Sequence, residues 1–414
     1  MLNSQGRPLR AAPIVVLFLA CAACLVAAAG AAGAQAAQPV PGFNALHAEG
    51  QPPLSAERIL EEQLNGLPVE ELERFVRTLD AESRQLLPPA DLRAMIFEGE
   101  GVRWGELGRR LLYAFTGEVA LNISLLGQLV IVGVFCALLR SVASSLGGSE
   151  AGDVAFLLCL FVLLFISVQA FRTAVQLAAS TLDQMVDFMH AILPLLAALL
   201  AAAGAVTTAA IFHPFLYVTV TAIAMLVRGL LFPLVFVMAG LAVLGSLSRD
   251  FPLRQMAGLL RTGSMILLGL SFLVFFAVMH ARGAIAPVTD GLALRTAKFL
   301  TGAFIPVVGG RLADALDVVI GGSVLIKNAV GVFGMGAIAV ITAFPIVKIF
   351  SILTVFRVAT ALVEPITDSR LVDAMSGLST CLTLLLAGLI TAALMFFVGI
   401  TVVIGVGNTA AFLR

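Results

Sequence analysis

Long apolar runs alternate along this chain with short polar breaks, at the scale of a bilayer-spanning helix, which needs about 20 mainly apolar residues. Such runs cover Val119–Leu139, Val154–Phe171, Ile192–Ile211, Gly263–Met279, Ala329–Phe350 and Leu378–Gly405. The stretch Phe215–Leu247 is too long for one comfortable span and short for two, and Arg228-Gly229 and Pro233 lie in its middle. Read as a tight hairpin of two short spans, it puts Arg249, Arg254 and Arg261 on the cytoplasmic side, as the positive-inside rule prefers. Read as one kinked span, it puts them outside. That rule favours the hairpin. The expectation is an all-α, polytopic integral membrane protein with about seven to eight transmembrane helices. Two connecting pieces, Arg172–His190 with Asp183 and Asp187, and Phe251–Arg261 with bases at helical spacing, are amphipathic and predict interfacial helices.

The pattern changes ahead of residue 119. Arg7 and Arg10 precede an apolar run, Pro13–Gly30, and Ala32-Gly33-Ala34 and Ala34-Gln35-Ala36 are both small-residue cleavage sites. That order predicts a signal peptide over residues 1–36. Residues 37–118 then form an extracytoplasmic acidic helical segment, and 119–414 the multi-spanning membrane domain. Within the segment, Leu72, Phe75, Val76 and Leu79 make the apolar stripe of a short helix. Glu70–Arg74 and Glu73–Arg77 are i,i+4 pairs on its other side. Pro88-Pro89 separates it from a further short helix, Ala90–Phe97. Trp104–Phe115 suits the membrane surface, where Trp and Tyr gather.

Composition sharpens the class. The 414 residues are 60% hydrophobic and 12% charged, about half the charge of a soluble domain. Residues 38–118 hold 14 acids and 8 bases, whereas 119–414 hold 11 acids and 15 bases. The acidic exported part argues against nucleic-acid binding. Cysteines lie in the signal peptide (Cys21, Cys24) or in spans (Cys136, Cys159, Cys381), which excludes a disulfide framework for the exported segment. His47, His190, His213 and His280 show no metal-ligand spacing. No cofactor is expected. Pro194, Pro233, Pro345 and Pro365 read as structural kinks. Glu364-Pro365 with Asp368–Arg370 reads as a solvated turn, and His280-Ala-Arg282 as a span end at the headgroups.

One stretch departs from plain apolar spans. Glycines crowd residues 302–336, and Arg311, Asp314 and Asp317 share one polar helix face between Gly309-Gly310 and Gly321-Gly322. Lys327-Asn328 follows just before the next apolar run. Glycine pairs allow helix breaks and close backbone approach, and ionisable residues beside broken helices mark transport pathways. Spacing alone equally describes a solvated amphipathic connector.

Phe304-Ile-Pro306-Val-Val-Gly309-Gly310, Asp314-Ala-Leu-Asp317 and Leu325-Ile-Lys327-Asn328-Ala-Val-Gly331 closely resemble the signature of the stage III sporulation protein AE family. Ala343-Phe-Pro345 followed by Lys348, Ala393-Leu-Met-Phe-Phe397 and Gly405-Val-Gly-Asn408 match it too, so the resemblance covers roughly residues 119–408. It implies a component of the mother-cell membrane around the forespore of an endospore former. It further implies a channel-like or secretion-like complex with other stage III A sporulation membrane proteins and a forespore membrane partner, required after engulfment. Self-association stays open. Because the most specific motif coincides with the charged face, Arg311, Asp314, Asp317, Lys327 and Asn328 become candidates for conduit lining or partner docking. Pro306, Gly309, Gly310, Gly321 and Gly322 become the candidate hinge.

Other classes fare worse. A self-sufficient secondary transporter or permease subunit predicts mid-membrane acids and an internal repeat, and neither is evident. An intramembrane hydrolase needs a metal motif, a nucleophile elbow or facing aspartates; H-E-x-x-H and G-x-S-x-G are absent, and Asp314 and Asp317 share one helix. Without a Walker A motif, an ATP-driven step needs a separate subunit.

Overall fold

The computed structural model describes residues 104–145, 150–247, 253–304 and 309–412, together with Arg74. The expected signal peptide, most of the expected acidic segment and Pro306 lie outside the described residues. The elements are α1 (Trp104–Leu121), α2 (Ile123–Ser145), α3 (Glu150–Ala202), α4 (Val206–Ala224), a π-helical segment (Met225–Leu231), α5 (Phe232–Leu247), α6 (Leu253–Phe304), α7 (Gly309–Val363) and α8 (Ser369–Phe412). No strand occurs among the described residues.

Among the described residues six stretches are helical, long and apolar enough to cross a membrane: Gly108–Val142, Val154–Ala202, Val206–Ser246, Gln255–Gly283, Val319–Val363 and Ser369–Val406. That is slightly fewer than the expected seven to eight, because two mergers occur. The expected spans Val154–Phe171 and the start of Ile192–Ile211 belong to one helix, α3, of 53 residues. At roughly 1.5 Å per residue it is more than twice as long as a hydrocarbon core is thick. Arg172–His190 is therefore no separate surface helix; Ala174, Ala178, Leu182, Met185, Phe188 and Met189 within it are buried. The chain turns only at Gly204, whose φ of 86° suits glycine. Ala205 N–H donates to Leu200 O (3.0 Å) and Gly204 N–H to Ala201 O (2.9 Å), the paired bonds of a glycine helix stop. Leu200, Ala205 and Ala209 bury a small apolar cluster under it.

The second merger replaces the favoured hairpin in Phe215–Leu247. Helix passes through α4, the π segment and α5 without a turn. Pro233 has no N–H for the Gly229 carbonyl, and its ring would crowd that carbonyl in a regular α-turn. A wider turn relieves the crowding; Phe232 N–H bonds Val227 O, five residues back. In a bilayer this local adjustment costs less than exposing the unpaired backbone of a hairpin turn. Phe251–Arg261 similarly runs into a long helix, its residues from Leu253 onward forming the first turns of α6. The apolar span ends at Gly283, as expected for His280-Ala-Arg282, while the helix itself continues to Phe304.

α7 and α8 form the centre. In their most apolar windows 67% and 61% of residues are buried, against 17–39% for the other four spans. α3 packs on this pair, with Ile192 facing Gly334, and the π segment packs on α8, with Leu231 facing Gly388. Between α7 and α8, Glu364–Thr367 is a tight connection, and Asp368 caps α8 by accepting Arg370 N–H at 3.1 Å. The same carboxylate pairs with Arg140 of α2 and is 9% exposed. The expected turn is present and exposed at Glu364, Pro365 and Ser369, and Asp368 adds a cap tied to a neighbouring helix.

Candidate functional site

The Gly309–Gly331 motif region lies on one helix. Gly309 and Gly310 open α7, and Arg311, Asp314 and Asp317 occupy its first turns, their side chains outside the described residues. Gly321 and Gly322 do not interrupt α7. A Cβ at Gly321 would meet nothing within 4 Å, so that glycine is not required by close packing.

Lys327 lies inside the apolar span rather than before it. It is 0% exposed, and its ammonium donates to Ile404 O of α8 at 2.8 Å. Asn328 is 5% exposed, and its Oδ1 accepts no hydrogen bond from the described residues. The helix period puts Gly331 and Gly334 on the Lys327 face, one and two turns on. A Cβ at Gly331 would stand 2.3 Å from Ile404 Cγ1, and one at Gly334 would stand 2.6 Å from Ile192 Cδ1 and 3.3 Å from Ile400 Cδ1. Thr401 Oγ1 closes the same seam against Met335 Sδ at 3.4 Å. Small residues let membrane helices approach until backbones nearly touch. Here that approach buries a lysine whose reach ends on the facing backbone. Lys327 and Asn328 are thereby placed in a helix–helix seam, away from any exposed surface.

The Leu325–Gly331 motif therefore packs on Ile404, the residue just before the Gly405–Asn408 motif, although Lys327 and Ile404 are 77 residues apart. The Ala343–Lys348 motif makes a second junction. Lys348 Nζ lies 3.8 Å from Glu118 Oε1. Phe350 and Phe115 rings sit 5.5 Å apart, and Asn122, at the join of α1 and α2, donates to Ser351 Oγ at 3.2 Å. Sequence reasoning missed the role of Gly331 and Gly334; their i, i+3 spacing was the available signal. It also missed the Asp183–Arg228 ion pair, which joins α3 to the π segment. Among the described residues no group of three or more His, Cys, Asp or Glu is placed to hold a metal.

These features define a class: a polytopic α-helical membrane protein whose two innermost helices are locked by glycines and a buried lysine. The family model described as stage III sporulation protein AE matches residues 90–407. The stage III sporulation protein AE of Bacillus subtilis (strain 168) is 31% identical over 371 residues, covering 89% of this chain and 92% of that protein. No solved structure matches. The chain belongs to the stage III sporulation protein AE family.

Proposed function

We propose that this protein is a non-enzymatic membrane component of a channel-like or secretion-like complex between mother cell and forespore, needed for spore development after engulfment. The observation that carries this reading is the family match over 90–407, which contains all six apolar helices. Its partners are other stage III A sporulation membrane proteins and a protein of the forespore membrane. Residues 1–36 are the signal peptide and 37–118 the exported acidic segment. With that segment outside, six spans put Arg249 and Arg254 in the cytoplasm and Arg261 in the cytoplasmic end of the fourth span, in keeping with the positive-inside rule. The polar face of Arg311, Asp314 and Asp317, at the extracytoplasmic entrance of α7 in this topology, docks a partner or lines the conduit.

Deleting the gene in the organism of origin tests the reading. Vegetative growth should be unchanged, engulfment should finish, and heat-resistant spores should fall sharply. A normal yield of heat-resistant spores removes the proposal.

A further inference from the structure

One continuous face of α3 changes solvent along its length. Val154, Leu158, Phe161, Val162 and Phe165 are exposed along its first turns. Beyond Gln169 the same face exposes Arg172, Thr173, Gln176, Ser180, Gln184 and Asp187. These six advance by one, three or four residues and share one stripe of the helix. At roughly 1.5 Å per residue the stripe is about 22 Å long, most of a hydrocarbon thickness. Its reverse side is the buried face of Ala174, Ala178, Leu182 and Met185.

The level of the stripe in the bundle is set by cross-helix contacts. His190 stacks on Tyr217 at 4.5 Å between ring centroids, and Arg282 of α6 lies over Phe215 at 5.1 Å. Arg282 is therefore level with His190, and α3 and α6 run in the same direction. The turns of α6 at the depth of the stripe expose Leu270 (57%), Leu273 (63%) and Val274 (54%). At one depth the bundle shows hydrocarbon-like surface on α6 and amide, hydroxyl and charged groups on α3. The Thr173 and Ser180 hydroxyls donate to Gln169 O and Leu177 O of their own helix, so the cost of facing hydrocarbon falls on the exposed side chains of Arg172, Gln176, Gln184 and Asp187.

We propose that the α3 stripe from Arg172 to Asp187 faces water within the membrane and forms one wall of an aqueous passage for small hydrophilic solutes. Arg172 and Asp187 carry opposite signs at its two ends, and the Asp183–Arg228 pair flanks it, so the wall has no net charge. Selective pores use rings of one sign; this wall selects for hydrophilicity and not for charge. One stripe encloses nothing alone, so further subunits of the complex complete the passage. The inference deepens the conduit reading and rests on it for its purpose. The spore phenotype tests that reading and surface chemistry tests the stripe, so either can fail alone.

The experiment is cysteine accessibility in membranes from sporulating cells, with Cys136, Cys159 and Cys381 replaced by Ala. Single variants are Thr173→Cys, Gln176→Cys, Ser180→Cys and Gln184→Cys on the stripe, and Leu270→Cys, Leu273→Cys and Val274→Cys on α6. Ala178→Cys is the buried control. Thiolate forms only where water solvates it, so impermeant methanethiosulfonates should react with the stripe at least about tenfold faster than with α6 or Ala178→Cys. Cationic and anionic reagents should react at similar rates, and a strong preference for one sign overturns the uncharged wall. Equal reaction on α3 and α6 overturns the proposal by placing this whole level outside the bilayer. An unreactive stripe also overturns it, because α3 is then sealed against another protein.

Discussion

The seam between α7 and α8 can be tested by adding a single methyl group. A Cβ introduced by Gly331→Ala would lie 2.3 Å from Ile404 Cγ1, 2.4 Å from Ile404 Cδ1 and 3.8 Å from Ile404 Cβ. Carbon atoms rest about 3.5–4.0 Å apart, so the first two contacts are too short by about an ångström and the third is ordinary. Ile404 is 3% exposed and cannot swing out to lipid. Overpacking of this kind costs about 1–3 kcal/mol. The better helix propensity of alanine returns up to about 1 kcal/mol, leaving a net loss of about 1–2 kcal/mol. Ile404→Ala alone leaves a cavity, worth about 2 kcal/mol here, the low end of the soluble-core range. The lower end applies because a membrane-unfolded chain keeps its side chains in apolar surroundings. In the double variant the two offending atoms are gone and only the 3.8 Å contact remains. The pair should therefore be no less stable than Ile404→Ala by itself, a coupling of about 1–2 kcal/mol in the double-mutant cycle. Thermal unfolding of all four proteins in mild detergent reads this directly. Additive losses would refute the close approach of these helices.

Further expectations concern single groups. Lys327→Met should cost little or no thermal stability, because a charged hydrogen bond worth about 1.5–3 kcal/mol is offset by relief of up to about 2.5–3.5 kcal/mol for a lysine within a span. Failure of that variant to accumulate would refute this balance and show that the fold needs the lysine. Asp368→Ala should cost about 1 kcal/mol through loss of the α8 cap. Asp368→Asn, which can still cap, should cost less, and equal losses in a melting assay would show that the Arg140 pair matters more. Asp314→Asn combined with Asp317→Asn should weaken co-purification of partner proteins if that face docks them. If the face lines the conduit, assembly survives while spore yield drops, and parent-like behaviour in both assays excludes both roles. N-terminal sequencing of membrane-extracted protein should begin after Ala34 or Ala36; a Met1 terminus contradicts export by a cleaved signal peptide.

Apolar runs of bilayer length and the acidic residues ahead of them were legible in the sequence, because transfer of a side chain into hydrocarbon depends on that side chain alone. Six helices able to cross a membrane follow from those runs, and so does the family, through motifs readable in one dimension. Where the runs join was not legible. Arg228-Gly229 with Pro233 describes a turn as well as a π segment, and only the packing of Leu231 on Gly388 and of Arg228 on Asp183 selects the continuous helix. Conversely, Gly204 sat unremarked inside an expected span, and it is where the chain reverses. Lys327 looked like a charge at a span boundary. Its burial depends on a backbone carbonyl 77 residues away and on two glycines that let the facing helix come close enough to supply it. The polar face of α3 was visible as an amphipathic stretch, but its surroundings were not. A helical period separates the two sides of a helix, whereas the neighbour or solvent that each side meets is decided by helices distant in sequence, and only the tertiary structure brings those to the same depth.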